Sequence, residues 1–287
     1  RMVLTEGEGA DLGQIVSQGN ILQIGGTAVG YLPVWTRDLG KTRFPLHKVK
    51  AGKDSRLGTY LRTEWEVPLP RREDLFFHVD YFSKHSVAGG PELRWKRQDA
   101  GGDYEGRALA YGTEDDGKDP GGAVPTTENR GWITAVDHRF YDEGWSTIFE
   151  FSKISDKGFL PLYFEKEART GKEQESRAYV QRVKGDYAGS FLAKARMNDF
   201  QDQVEYLPRA DFRVLSKSFL DGKLLWNART EFAAANHRTS EIDVQPPDEK
   251  VDRMDTFHEA IVPFPVGPFH GQLFADERLT AYSGTKS

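Results

Sequence analysis

The chain contains no cysteine, which excludes a disulfide framework and any thiolate-ligated metal. It has no run of about 18 apolar residues, so it encodes no transmembrane helix. Helical periodicity is missing over nearly the whole length, and the one helix candidate is Pro161 to Arg169. The opening residues Arg1-Met-Val-Leu-Thr-Glu-Gly have neither a basic n-region nor an apolar h-region, so no signal peptide is visible. Catalytic signatures are absent too. There is no Gly-x-Ser-x-Gly elbow and no phosphate loop. The seven histidines (His47, His78, His85, His138, His237, His258, His270) show no HxH or HExxH spacing, so no metal site and no cofactor are expected. A formal charge of −5 argues against a nucleic-acid partner. The expectation is a protein that is not an enzyme.

Alternation takes the place of these signals. Leu75, Phe77, Val79 and Tyr81 fall on one face of a strand, with His78 and Asp80 on the other. Thr147, Phe149 and Phe151 oppose Glu150 and Ser152 within a long hairpin that opens at Asn129. Further on, Tyr187, Phe191, Ala193 and Ala195 oppose Ser190, Lys194 and Arg196. Leu224, Trp226, Ala228 and Phe232 oppose Asn227, Arg229 and Glu231. Lys184-Gly185-Asp186 and Leu220-Asp221-Gly222-Lys223 read as hairpin turns. Roughly 12 to 16 strands are expected in all. Some connections are short. Others, such as Thr113 to Asn129 and Asn236 to Asp255, are long and polar.

Each strand therefore has two faces suited to different solvents. At 38% hydrophobic and 29% charged, the chain is polar on average. A transmembrane β-barrel reads this way because its apolar residues occupy only every second position. Inward charges such as Lys194, Arg196, Arg229 and Glu231 suit a wet lumen, since a dry core would have to pair them. A soluble antiparallel sheet alternates as well, and the pattern alone leaves both open. Loop carboxylates at Asp99 to Asp103 and Asp115-Asp116 lack the liganding rhythm of a calcium loop. His78 and Asp80 could handle protons as a pair, or simply face a polar lumen.

Several segments, in order, resemble the outer-membrane lipopolysaccharide-assembly family, LptD or organic solvent tolerance proteins. Asn20-Ile-Leu-Gln-Ile through Tyr31-Leu-Pro33-Val-Trp35 is similar to the end of its periplasmic jelly roll. Trp65-Glu-Val-Pro68-Leu-Pro70 with Asp74 to Tyr81 is similar to its first barrel hairpin, and Gly89 to Trp95 to the next strand. Arg130-Gly-Trp-Ile-Thr-Ala-Val-Asp-His138 is similar to its Arg-to-His strand, and Lys153-Ile-Ser155-Asp156 with Phe159 to its Val-Ser-Asp segment. Tyr206-Leu-Pro208 and Leu279 to Tyr282 fit later strands.

The resemblance implies an all-β protein: the end of a periplasmic β-jelly roll over residues 1–40, a linker over 41–56, and over 57–287 the N-terminal part of an antiparallel transmembrane β-barrel. It implies export of lipopolysaccharide or a related glycolipid into the outer leaflet. The partners would be outer-membrane lipids, a plug lipoprotein in the barrel lumen and a periplasmic bridge protein at the jelly roll. Pro45, Pro68 and Pro70 would weaken the first strands as a lateral gate, because proline removes a ladder donor. Tyr60-Leu61-Arg62 stands where a second gate proline is expected, and the family's disulfides have no counterpart here. An open half-barrel is not tolerated in lipid, so a fragment lacking its C-terminal half is expected. Two other readings are a soluble or surface β-protein that binds carbohydrate through Trp65, Trp95 and Trp132, and a diffusion porin.

Overall fold

The computed structural model describes residues 2–5, 14–24, 27–38, 45–69, 73–115, 127–241 and 249–286. The protein is almost entirely antiparallel β-sheet. Strands β1 (Met2–Thr5), β2 (Gln14–Ile24) and β3 (Thr27–Asp38) form a three-stranded sheet in that order. Pro33 lies in β3, an edge strand, the place in a sheet where proline is tolerated. Tyr31 lies opposite Ile21 of β2.

The second sheet has thirteen strands, each hydrogen-bonded to its sequence neighbour. They are β4 (Leu46–Asp54), β5 (Gly58–Pro68), β6 (Glu73–Phe82), β7 (Ser86–Asp99), β8 (Gly102–Glu114), β9 (Asn129–Tyr141), β10 (Trp145–Ile154), β11 (Ser176–Lys184), β12 (Tyr187–Ala195), β13 (Gln203–Phe219), β14 (Leu224–Arg238), β15 (Glu249–Val266) and β16 (Phe269–Lys286). Among the described residues β4 and β16 end the order and do not pair with each other, so the sheet does not close into a barrel. Segment 46–54, expected within a linker, is instead strand β4, in register with β5 from Leu46↔Trp65 to Asp54↔Gly58. Its lysines, Lys48, Lys50 and Lys53, hid it in the sequence.

Turn chemistry sets the registers. Gly185 sits at φ 56° in the two-residue loop between Lys184 and Tyr187. Such a loop needs positive φ, which costs glycine least. Leu220, Asp221 and Gly222 all take positive φ before Leu224.

The chain divides into two compact units. Unit 1 holds residues 1–95, 108–133 and 154–172; unit 2 holds the rest. In unit 1 the odd-numbered face of β5 and β6 is the apolar one, and it is the exposed one. Trp65 opposes Phe77 and Leu61 opposes Tyr81, and Val79 is 54% exposed. The even-numbered face is mixed: Glu64, Glu66 and Asp80, with Glu92 of β7, are buried there beside Phe76 and Phe82. Unit 2 repeats the inversion. Phe149, Phe191, Phe212, Phe232 and Met254 are exposed, while Glu150, Ser152, Asp211, Glu231 and Asp255 are buried. Large apolar side chains face outward over contiguous strands, the reverse of an ordinary soluble sheet.

What buries the inner face of unit 1 is the segment after β10. It folds as two short helices, α1 (Phe159–Tyr163) and α2 (Glu165–Arg169). Asp156 begins it by accepting the amide of Gly158 at 2.9 Å. Pro161 is tolerated within the first turn of α1. Gly171, at φ 68°, follows α2 and takes the left-handed conformation common after helix ends. Phe159, Leu160, Leu162 and Tyr163 are buried, with Phe159 and Tyr163 ring centroids 4.9 Å apart and Phe82 5.3 Å from Tyr163.

Candidate functional site

The inner face of unit 1 holds a buried polar network centred on Asp115, the residue that follows β8. One of its oxygens meets His85 Nδ1 at 2.9 Å. The other accepts the Tyr163 hydroxyl at 2.7 Å and Arg130 Nη1 at 3.0 Å. Arg130, on β9, turns its remaining donors to Asp156: Nε at 2.9 Å and Nη2 at 2.7 Å. This two-point match of guanidinium to carboxylate is the strong form of the interaction. Ser155 donates to Asp156 at 2.7 Å and its Oγ accepts the Gly131 amide at 3.0 Å. The Arg130 side chain is fully buried, and its charge is tolerable only because two carboxylates face it. Burial pushes the Asp156 carboxyl up, but the Arg130 guanidinium and the Ser155 hydroxyl outweigh this and hold it below the ordinary carboxylate range. Burial, then the Asp115 hydrogen bond, drives the Tyr163 hydroxyl far above its usual value, so it stays a donor.

Arg130, Ser155 and Asp156 are thus brought together, as a clamp fastening the helical insert to β9. His138 is not part of it. It lies in unit 2, with Nε2 3.8 Å from Glu150 Oε1. Pro45 is exposed just before β4, and its carbonyl accepts the Glu66 amide. Pro68 closes β5 opposite Asp74. Pro70 and Asp116 lie outside the described residues.

His78 and Asp80 share a face but not a bond. His78 Nε2 contacts Glu92 Oε2 at 2.6 Å, while Asp80 accepts Tyr111 Oη at 2.7 Å and the Thr63 amide at 3.1 Å. Asp115, read as a loop carboxylate, is the hub of the network. Sequence reasoning missed His85, Tyr111 and Tyr163 as members, because no periodicity links residues up to 48 positions apart. Glu64, Glu66 and Glu92 were detectable in principle, since each alternates with an apolar residue of an outward face.

Beside the network lies a cavity of about 490 Å³ between β4, β5, β6 and the insert. Arg56 spans its rim, bonding Glu165 at 2.8 Å and Asp54. Arg62 crosses it to the Tyr163 carbonyl at 2.6 Å.

No family model and no curated protein matches the chain. The reading of the site therefore rests on its own geometry.

In unit 2 the inner face is a continuous ion ladder. Arg213 and Arg229 both reach Asp211, at 2.6 and 2.8 Å. Arg229 and Arg209 meet on Glu231 Oε2, at 2.6 and 2.7 Å. Arg253 Nη2 and Arg278 Nη2 meet on Asp255 Oδ2, at 3.1 and 2.9 Å, and Thr280 donates to Oδ1. Lys194 pairs with Glu175 at 2.6 Å and Arg196 with Glu241 at 2.8 Å. Such a face can hold polar or anionic groups in water.

Proposed function

We propose that the thirteen-stranded sheet is wall from an outer-membrane β-barrel that carries lipopolysaccharide or a related glycolipid to the outer leaflet. One observation carries the reading: the apolar face points outward and the charged face inward, along strands of both units. Apolar side chains at every second position suit hydrocarbon, and the salt-bridged inner face suits a wet lumen where the sugars of an amphiphile would travel. On this reading the three-stranded sheet is the end of a periplasmic jelly roll that meets a bridge protein. A plug lipoprotein occupies the lumen. Pro45 and Pro68 flank the β4–β5 pair as a weakened gate, and β4 and β16 each meet a further strand in the membrane, since bare edges are not tolerated there. The localisation is the outer membrane with a periplasmic N-terminal part.

The carbohydrate-platform alternative has less support. Trp65 and Trp95 lie on the outward face by register. Trp132 is buried, its ring centroid 4.9 Å from that of Phe164.

Single-tryptophan variants in vesicles of brominated lipid test the proposal. Trp65 fluorescence is expected to be quenched and Trp132 fluorescence spared. A chain that stays monodisperse in buffer and leaves both unquenched ends the membrane reading. A photo-crosslinker at Arg209 labelling lipopolysaccharide in preference to phospholipid supports the glycolipid assignment; equal labelling reduces the protein to a porin.

A further inference from the structure

Outside the insert network, a second cluster on the inner face joins strands β5, β6 and β7. Register places Glu64 opposite His78, and His78 opposite Gly90. Gly90 has no side chain, so the imidazole leans along β7 to Glu92, whose carboxylate is 1% exposed. One donor atom from each of Glu64, His78 and Glu92 lies within 4.8 Å of the others. His47, on β4, borders the set, with Nε2 3.7 Å from Glu64 Oε1 and Nδ1 3.4 Å from Glu66 Oε2.

We propose that Glu64, His78 and Glu92, with His47 completing the set, bind a divalent first-row transition metal such as Zn²⁺. Imidazole nitrogen together with carboxylate oxygen selects this class over calcium or magnesium, which take oxygen ligands. The donors come from four adjacent strands, so the ladder that fixes register also fixes their spacing. Flexible loops could not hold them so closely. Arg94 is the cation with which a bound metal competes for these carboxylates. Its Nε donates to Glu92 Oε1 at 2.7 Å, and its Nη1 and Nη2 reach Glu64 at 3.3 and 3.2 Å. Nη2 also reaches Glu92 Oε2 at 2.8 Å. The metal displaces that contact, leaving Arg94 on Oε1. The site does not depend on the membrane reading: a soluble sheet with this register would carry it equally.

Titration of the purified chain with CoCl₂ and ZnCl₂ tests it. One equivalent of Co²⁺ should bind with visible d–d bands, and Zn²⁺ should displace it. X-ray absorption at the zinc edge should show a nitrogen and oxygen shell containing imidazole. His78→Gln should weaken Zn²⁺ binding at least about tenfold and His47→Gln less. Arg94→Gln, by removing a competing cation, should tighten it by about tenfold. That opposite sign separates a metal site from loss of fold, and far-UV circular dichroism checks folding of each variant. His138→Gln, a half-buried histidine beside Glu150 and outside the cluster, serves as the control. Absence of d–d bands, an all-oxygen shell, or equal losses in His78→Gln and His138→Gln would overturn the proposal.

Discussion

Both units turn an acidic, arginine-rich face inward, but they satisfy it differently. In unit 1 the helical insert lays Phe159, Leu162 and Tyr163 against the sheet, and the charges beneath it are sealed: Arg130, Asp115 and His85 have essentially no exposed side chain. In unit 2 the basic partners of Asp211 and Glu231 stay between a third and a half exposed, from Arg209 at 33% to Arg213 at 48%. The contrast teaches that burial of the partner, rather than the number of ion pairs, decides how much each pair matters. A sealed arginine has no water to fall back on. A half-exposed one does, and its neighbours on the ladder can share its carboxylate.

The sharpest way to break the comparison is Arg130→Ala. It strands Asp115 and Asp156 beneath the insert, and a loss of about 3–5 kcal/mol in chemical unfolding is expected. A loss below about 1 kcal/mol would mean the seal does not exist. Phe159→Ala should cost about 3 kcal/mol or more through the cavity it opens. Near-UV circular dichroism should report it, because the lost ring packs against Tyr163 and Tyr111.

Acid offers a third test. The Asp156 carboxyl lies below its ordinary value in the folded protein. Its contribution is therefore complete above the unfolded value, about 4, and is lost as pH falls through the lower folded value. The near-UV signal of the insert should fade in that acid window, and Asp156→Asn should remove that pH dependence. The smallest effect is expected in unit 2. Asp211→Asn should cost about 1 kcal/mol or less, since Arg213 and Arg229 remain in contact with water and Arg229 keeps Glu231. A cost like that of Arg130→Ala would show unit 2 to be sealed as well.

Parts of this were legible beforehand. The alternation of Leu75 to Tyr81 and of Leu224 to Phe232 named the two faces of each strand, and the glycine turns at Gly185 and Gly222 named two hairpins. Arg130, Ser155 and Asp156 stood out, though as markers of a strand and not as a clamp. Strand β4 was lost because its lysines mimic a linker. The short helices were visible only as Pro161 to Arg169, since two turns are too brief for periodicity to register.

The sequence alone determined the local period. Side chains in a strand must alternate, so residue type at odd and even positions assigns each to one of two faces without reference to the rest of the chain. Only the tertiary structure decided which face is covered and which residues meet. Register brought Glu64, His78 and Glu92 together, and the insert brought Tyr163 to Asp115, 48 positions away in the chain. Hydrogen bonds and van der Waals contacts act over a few ångströms in space, and separation along a chain carries no information about that distance until the ladder has formed.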